Sequence, residues 1–142
     1  YSPRPSVATI ANAMDVGDPS NVARILALYE NNNEAICSEI SGATYNDEQI
    51  RETVKKAYEE TGYLLDPQGA CGYRALEEGL QEGEVGVFLE TAHPAKFLET
   101  VESIIGEQVK IPAKLQAFMK GTKQSIPMAK DFASFKEFLM KE

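Results

Sequence analysis

Three times in this sequence a polar residue is followed at once by proline and then by an amphipathic run: Asp18-Pro19, Asp66-Pro67 and His93-Pro94. Proline has no N–H to lose at the first helical position and its fixed φ suits a helix start, while the residue before it is held out of helical geometry. The pattern therefore predicts three helix beginnings. From Asp18 the spacing predicts a helix to about Asn31, with Val22, Ile25, Leu26 and Tyr29 on one face. From Asp66 it predicts a helix with small residues (Gly69, Ala70, Cys71, Gly72) in its first turns and Ala75, Leu76 and Leu80 later. The helix from His93 buries Phe97, Leu98, Val101, Ile104 and Ile105 and ends at Gly106. A fourth start, Asn46 with Gln49 three residues on, has the form of a capping box. It opens a helix that buries Ile50, Val54, Ala57 and Tyr58 and stops before Gly62. Phe132, Phe135, Phe138 and Leu139 mark a last helix, and a short helical piece fits Pro112 to Met119.

Strand candidates lie between these helices. Ala35 to Ser41 (AICSEIS) and Glu84 to Glu90 (EVGVFLE) are the best, with weaker ones at Ser6 to Ala11 and Tyr63 to Leu65. Short strands separated by helices imply an α/β layered fold with a parallel or mixed sheet. In such sheets ligands sit at the carboxyl ends of strands, where helix starts cluster and offer free N–H groups. The capped starts are thus either the rim of a pocket or simply good capping.

With 43% hydrophobic residues, 142 residues suffice for one real core. The net charge of −8 argues against a nucleic-acid backbone or an anionic membrane surface as main partner. No apolar run approaches the roughly 20 residues of a membrane span. Cys37 and Cys71 are too few for a disulfide framework or a zinc site, and read as two buried, reduced thiols of a cytoplasmic protein. Tyr1 to Gly17, with no initiator Met and no amphipathic period, reads as the interior of a longer polypeptide. Glu77, Glu78, Glu82 and Glu84 read as a solvated acidic face.

Three segments carry a resemblance: NAMDVGDPSN (12–21), TGYLLDPQGACGYRAL (61–76) and ETAHPAKF (90–97). Together, in order and in spacing, they resemble the C-terminal part of threonine synthase, in the long form of bacteria and fungi. Val22 and Gln68 depart from residues common there, an aromatic and a histidine. The resemblance implies the tryptophan-synthase-β-like fold, fold type II among enzymes that use pyridoxal 5'-phosphate. It implies a carbon–oxygen lyase that converts O-phosphohomoserine and water to threonine and phosphate. Residues 1–142 would then be the C-terminal portion of that enzyme, and its N-terminal remainder would be their partner. The family's Schiff-base lysine and its Gly- and Asn-rich phosphate loop match nothing here. Lys55, Lys56 and Lys96 sit in no such motif, so no catalytic residue is expected in this chain and the chain alone is expected to be inactive.

Within that resemblance Thr91 occupies the position whose hydroxyl bonds the pyridine nitrogen of the cofactor. A hydroxyl donates to an unprotonated nitrogen and moderates the ring's electron demand, where a carboxylate would hold the nitrogen protonated. Read by itself, Thr91 is more simply an ordinary strand-end threonine bonded to nearby backbone. His93, before Pro94, is placed at the N-cap, with a part in the pocket as the sharper reading. Asn12 and Asp15, in the polar loop fixed by Gly17 and Pro19, line a cleft or merely feed the first helix. Asp66 is most simply an N-cap. A second function class stays open: a non-catalytic module of the same fold that binds a small anion at its helix starts. A relative acting on a different amino acid, such as a dehydratase, fits NAMDVG with ETAHPAKF less well.

Overall fold

A computed structural model describes residues 2–12 and 16–141. Seven α-helices order them: α1 (Val22–Leu28), α2 (Asn33–Glu39), α3 (Asp47–Thr61), α4 (Pro67–Gly79), α5 (Leu98–Ile105), α6 (Ala113–Met119) and α7 (Phe132–Met140). The chain divides into two compact units, one up to Lys110 and one from Ile111 onward.

The first unit is built around α3. Both halves of its capping box form: the Asn46 side chain accepts from the Gln49 N–H at 2.9 Å, and the Gln49 side chain accepts from the Asn46 N–H at 3.0 Å. Gly62, at φ 73°, ends the helix in the left-handed region that glycine enters without a Cβ clash. Ile50, Thr53, Val54 and Ala57 recur at helical spacing and form its buried face. Leu65 and Ala70 join them, both fully buried, and Ile10, Tyr45, Tyr73, Phe88 and Ile104 close the edges. A 3₁₀ turn (Pro94–Phe97) leads into α5, whose Val101 is fully buried and whose end is again a left-handed glycine, Gly106.

The first helix is shorter than its pattern predicts. Asp18 and Pro19 lie in turns before it, Asn21 holds the cap position without a side-chain bond, and Glu30 and Asn31 stop it at positive φ. Its predicted face is nonetheless the half-buried one.

The strand expectations need correction. Residues 35–41 are not a strand: Asn33–Glu39 is helical because Asn32 accepts from the Ala35 N–H at 3.1 Å, and a satisfied cap settles a short apolar run that periodicity leaves ambiguous. Residues 6–11, 63–65 and 84–90 are not helical but pair with nothing, so the described residues contain no strand and no sheet. A strand is a paired object, and a sequence pattern cannot supply the partner. Nor are both thiols buried: Cys37 is exposed on α2, a helix with no buried residue, and Cys71 is half-buried. No helix among the described residues is long and apolar enough to cross a membrane.

The second unit holds α6 and α7. Asp131 caps α7 through the Ser134 N–H at 2.9 Å, and Phe132, Phe135 and Leu139 stay exposed.

Candidate functional site

The alternation of residues 84–90 is realised against a helix instead of within a sheet. One side of the segment packs on α4: Phe88 meets Tyr73 edge-on at 5.5 Å, and Gly86 lies so close to Leu76 that a Cβ there would collide with it. The other side carries Val85, Val87 and Leu89, which are 94%, 82% and 78% exposed. The period-2 pattern thus has one satisfied face and one bare apolar face.

Glu90 ends the packed side, and it meets the start of α4. Asp66, fully buried, caps that helix: its Oδ1 accepts from the N–H groups of Gln68 at 2.8 Å and Gly69 at 3.3 Å. Its own N–H donates to Oε1 of Glu90 at 3.2 Å. The Glu90 carboxyl fills the space a side chain at position 69 would need, so Gly69 is required by close approach. Oδ2 of Asp66 and Oε2 of Glu90 are both buried, and neither has a hydrogen-bond partner among the described residues. Burial first, then the adjoining Asp66 side chain and its charge, pushes the Glu90 carboxyl up to about 7, although the bond from the Asp66 N–H pulls the other way. Burial and the charge of Asp66 also raise the thiol of Cys71, which therefore stays neutral.

Thr91 follows directly. It is exposed, and its hydroxyl makes no hydrogen bond to the described residues, so it is not spent on local backbone. His93 is the N-cap of the 3₁₀ turn, its Nδ1 accepting from the Ala95 N–H at 3.0 Å, and it borders a cleft with Tyr58, Tyr63 and Ile105. Asn12 is held in its own turn by Thr9 Oγ1 at 3.1 Å and the Val7 carbonyl at 2.9 Å. It lines a different cleft, with Lys96, Phe97 and Thr100. Asp15 lies outside the described residues. The structure therefore brings Asn12 beside the turn that follows His93, but puts the two in separate clefts.

Free helix starts are not what the fold offers. Two of the three predicted starts have their N–H groups occupied by their own caps, and the third does not open at Asp18. Every lysine among the described residues is exposed: Lys56 pairs with Glu77 at 3.0 Å and Lys96 lies over the Phe97 ring. No cluster of histidine, cysteine, aspartate and glutamate among the described residues is placed to hold a metal ion. The sequence reading missed Glu90. Its signal was there, since a glutamate shares the inward register of Gly86 and Phe88, but only the position of Gly69 reveals what it meets.

Comparison with known proteins decides the family. The family model described as "Threonine synthase, C-terminal" matches residues 69–139, half of the chain. The chain belongs to the threonine synthase family. It is 39% identical over 140 residues to the threonine synthase of Serratia marcescens, and 38% over 140 to that of Escherichia coli. In each case 99% of this chain is covered but 32% of the relative, so the chain spans about a third of the threonine synthases it matches. The fold resembles the crystal structure of threonine synthase from Escherichia coli with a TM-score of 0.79 at 38% identity, over 98% of this chain and 32% of that one. It also resembles a PLP-bound threonine synthase from Brucella melitensis, with a TM-score of 0.76 at 26% identity, over 87% of this chain and 32% of that one.

Proposed function

We propose that this chain is the C-terminal portion of a pyridoxal-phosphate-dependent threonine synthase, in which the Thr91 hydroxyl donates a hydrogen bond to the ring nitrogen of the cofactor. The single observation carrying this reading is the state of Thr91: exposed, uncommitted among the described residues, and held at the end of a segment that α4 anchors through Glu90. Among the described residues the chain fits the cofactor at that atom and only there, since the exposed lysines supply no covalent tether and the capped helix starts supply no phosphate cradle. Those parts belong to the remainder of the enzyme.

When bound, pyridoxal phosphate supplies an electron sink for the proton removals that precede loss of phosphate from O-phosphohomoserine and addition of water to give threonine. The chain's own contribution is to set the strength of that sink. A neutral hydroxyl holds the ring nitrogen by donating to it, and leaves it unprotonated. The bare apolar face of Val85, Val87 and Leu89 supports a further part of the reading: residues 84–90 become a strand of an α/β layered, fold-type-II sheet whose neighbours come from that remainder. A lyase of this kind is taken to work in the cytoplasm. The anion-binding alternative loses its footing, because the donors it needs are already occupied by Asp66 and His93.

Thr91→Val in the intact enzyme tests the reading. The isostere keeps the shape and removes the donor, so turnover should fall while thermal stability holds, and the visible absorption band of the bound cofactor should shift. Unchanged turnover and an unchanged spectrum would remove Thr91 from the mechanism. Phosphate release from O-phosphohomoserine by residues 1–142 alone, above the protein-free rate, would overturn the expected inactivity of this portion.

A further inference from the structure

We propose that Asp66 and Glu90 share a single proton between Oδ2 and Oε2, and that this bond makes Glu90 the positioning residue that holds Thr91 in place. The inference rests on the role of Thr91 proposed above.

Hydrogen-bond satisfaction calls for that proton. Each carboxyl has one oxygen fully used: Oδ1 of Asp66 takes two N–H groups of α4, and Oε1 of Glu90 takes the N–H of Asp66. Each has one buried oxygen with no partner. Two carboxylates here would leave both orphaned and facing a like charge, at a cost of several kcal/mol that a native fold avoids. One proton removes the charge conflict and supplies the missing donor to both oxygens at once. It belongs on Glu90, because Asp66 sits at the positive end of the 13-residue helix α4 as its cap.

The surroundings agree. The charge acting on Glu90 is that of Asp66, and no cation among the described residues opposes it. The other titratable groups that α4 turns toward this region are Cys71, kept neutral, and Tyr73, whose hydroxyl burial and Glu77 keep protonated. Gly69 leaves the carboxyl room to lie flat on the helix. Thr91 follows Glu90 by one peptide bond, so whatever fixes Glu90 fixes the backbone that aims the Thr91 hydroxyl. Loss of the proton places two like charges in contact and pushes that backbone off α4.

The test uses the full-length enzyme with ¹³C-labelled glutamate carboxyls. One glutamate should titrate at about 7 and vanish from the spectrum of Glu90→Gln. In wild type, turnover should fall about tenfold from pH 6 to pH 8, following that group. Glu90→Gln carries a permanent donor in place of the shared proton, so its ratio of turnover at the two pH values should approach one. Glu90→Ala, which has no donor, should lose turnover at both. A Glu90 carboxyl that titrates near 4.5, or a pH 6 to pH 8 ratio unaltered in Glu90→Gln, overturns the shared proton. Thr91→Val should leave the Glu90 titration where it is. If that variant also keeps full turnover, the role of Thr91 fails and the positioning role fails with it, while the carboxyl titration still reports on the proton alone.

Discussion

The backbone N–H of Asp66 donates to Oε1 of Glu90 across 3.2 Å, joining two residues 24 positions apart in the chain. One caps the helix that carries the small-residue stripe, and the other immediately precedes Thr91. The conformation of the candidate site therefore depends on how well a helix start and the end of an extended segment stay together.

Stability should decline as pH rises through neutrality. The Glu90 carboxyl is raised from 4.5 to about 7 in the fold, so the native state holds its proton where the unfolded chain has released it. Its contribution is complete below about pH 4.5 and is lost as pH rises through about 7. The loss should come to about 1–2 kcal/mol, the full linkage value reduced for solvent on the exposed part of the group. Denaturant midpoints at pH 5, 6, 7 and 8 measure it, and Glu90→Gln should flatten that part of the profile.

Gly69→Ala should destabilise the protein even though alanine is the better helix former. The propensity gain is about 1 kcal/mol at most. Against it stands the displacement of the Glu90 carboxyl, which returns Oδ2 of Asp66 to a buried orphan at about 1–3 kcal/mol. A lowered melting temperature is expected; a raised one would show that Glu90 relaxes without penalty.

Asp66→Ala removes two capping bonds and the carboxyl proposed to share a proton with Glu90, while the backbone N–H that donates to Glu90 stays. Loss of a cap alone costs about 1 kcal/mol, and up to about 2. Asp66→Asn keeps an acceptor for Gln68 and Gly69 and offers an amide donor to Glu90. It should recover most of the loss, and amide hydrogen exchange in the first turn of α4 would report the difference.

The core can be located by two truncations of the same chemistry. Leu65 is fully buried, so Leu65→Ala should cost about 2–5 kcal/mol. Leu28 is 80% exposed on α1, and Leu28→Ala should stay within about 0.5 kcal/mol. Equilibrium unfolding of the two variants gives both values.

The sequence by itself determined the helices whose ends are written in local chemistry. Asn46 with Gln49, Asp66-Pro67, His93-Pro94, Gly62 and Gly106 each act within a few residues, through a cap, a fixed φ or a left-handed turn. Structure and sequence agree at all of them. It also carried the family, in three motifs held in register.

Tertiary structure alone decided the rest. Residues 35–41 are the local exception: their apolar pattern suits either element, and the Asn32 cap, three residues from the N–H it binds, made them helical. Residues 84–90 kept strand periodicity but found α4 on one side and none of the described residues on the other, because pairing is a property of two segments. Glu90 carries no local mark of its contact; the absence of a Cβ at Gly69 lets its carboxyl reach the N–H of Asp66. A buried polar contact between distant residues leaves no local trace in a sequence, since its energy exists only where folding removes the water between them.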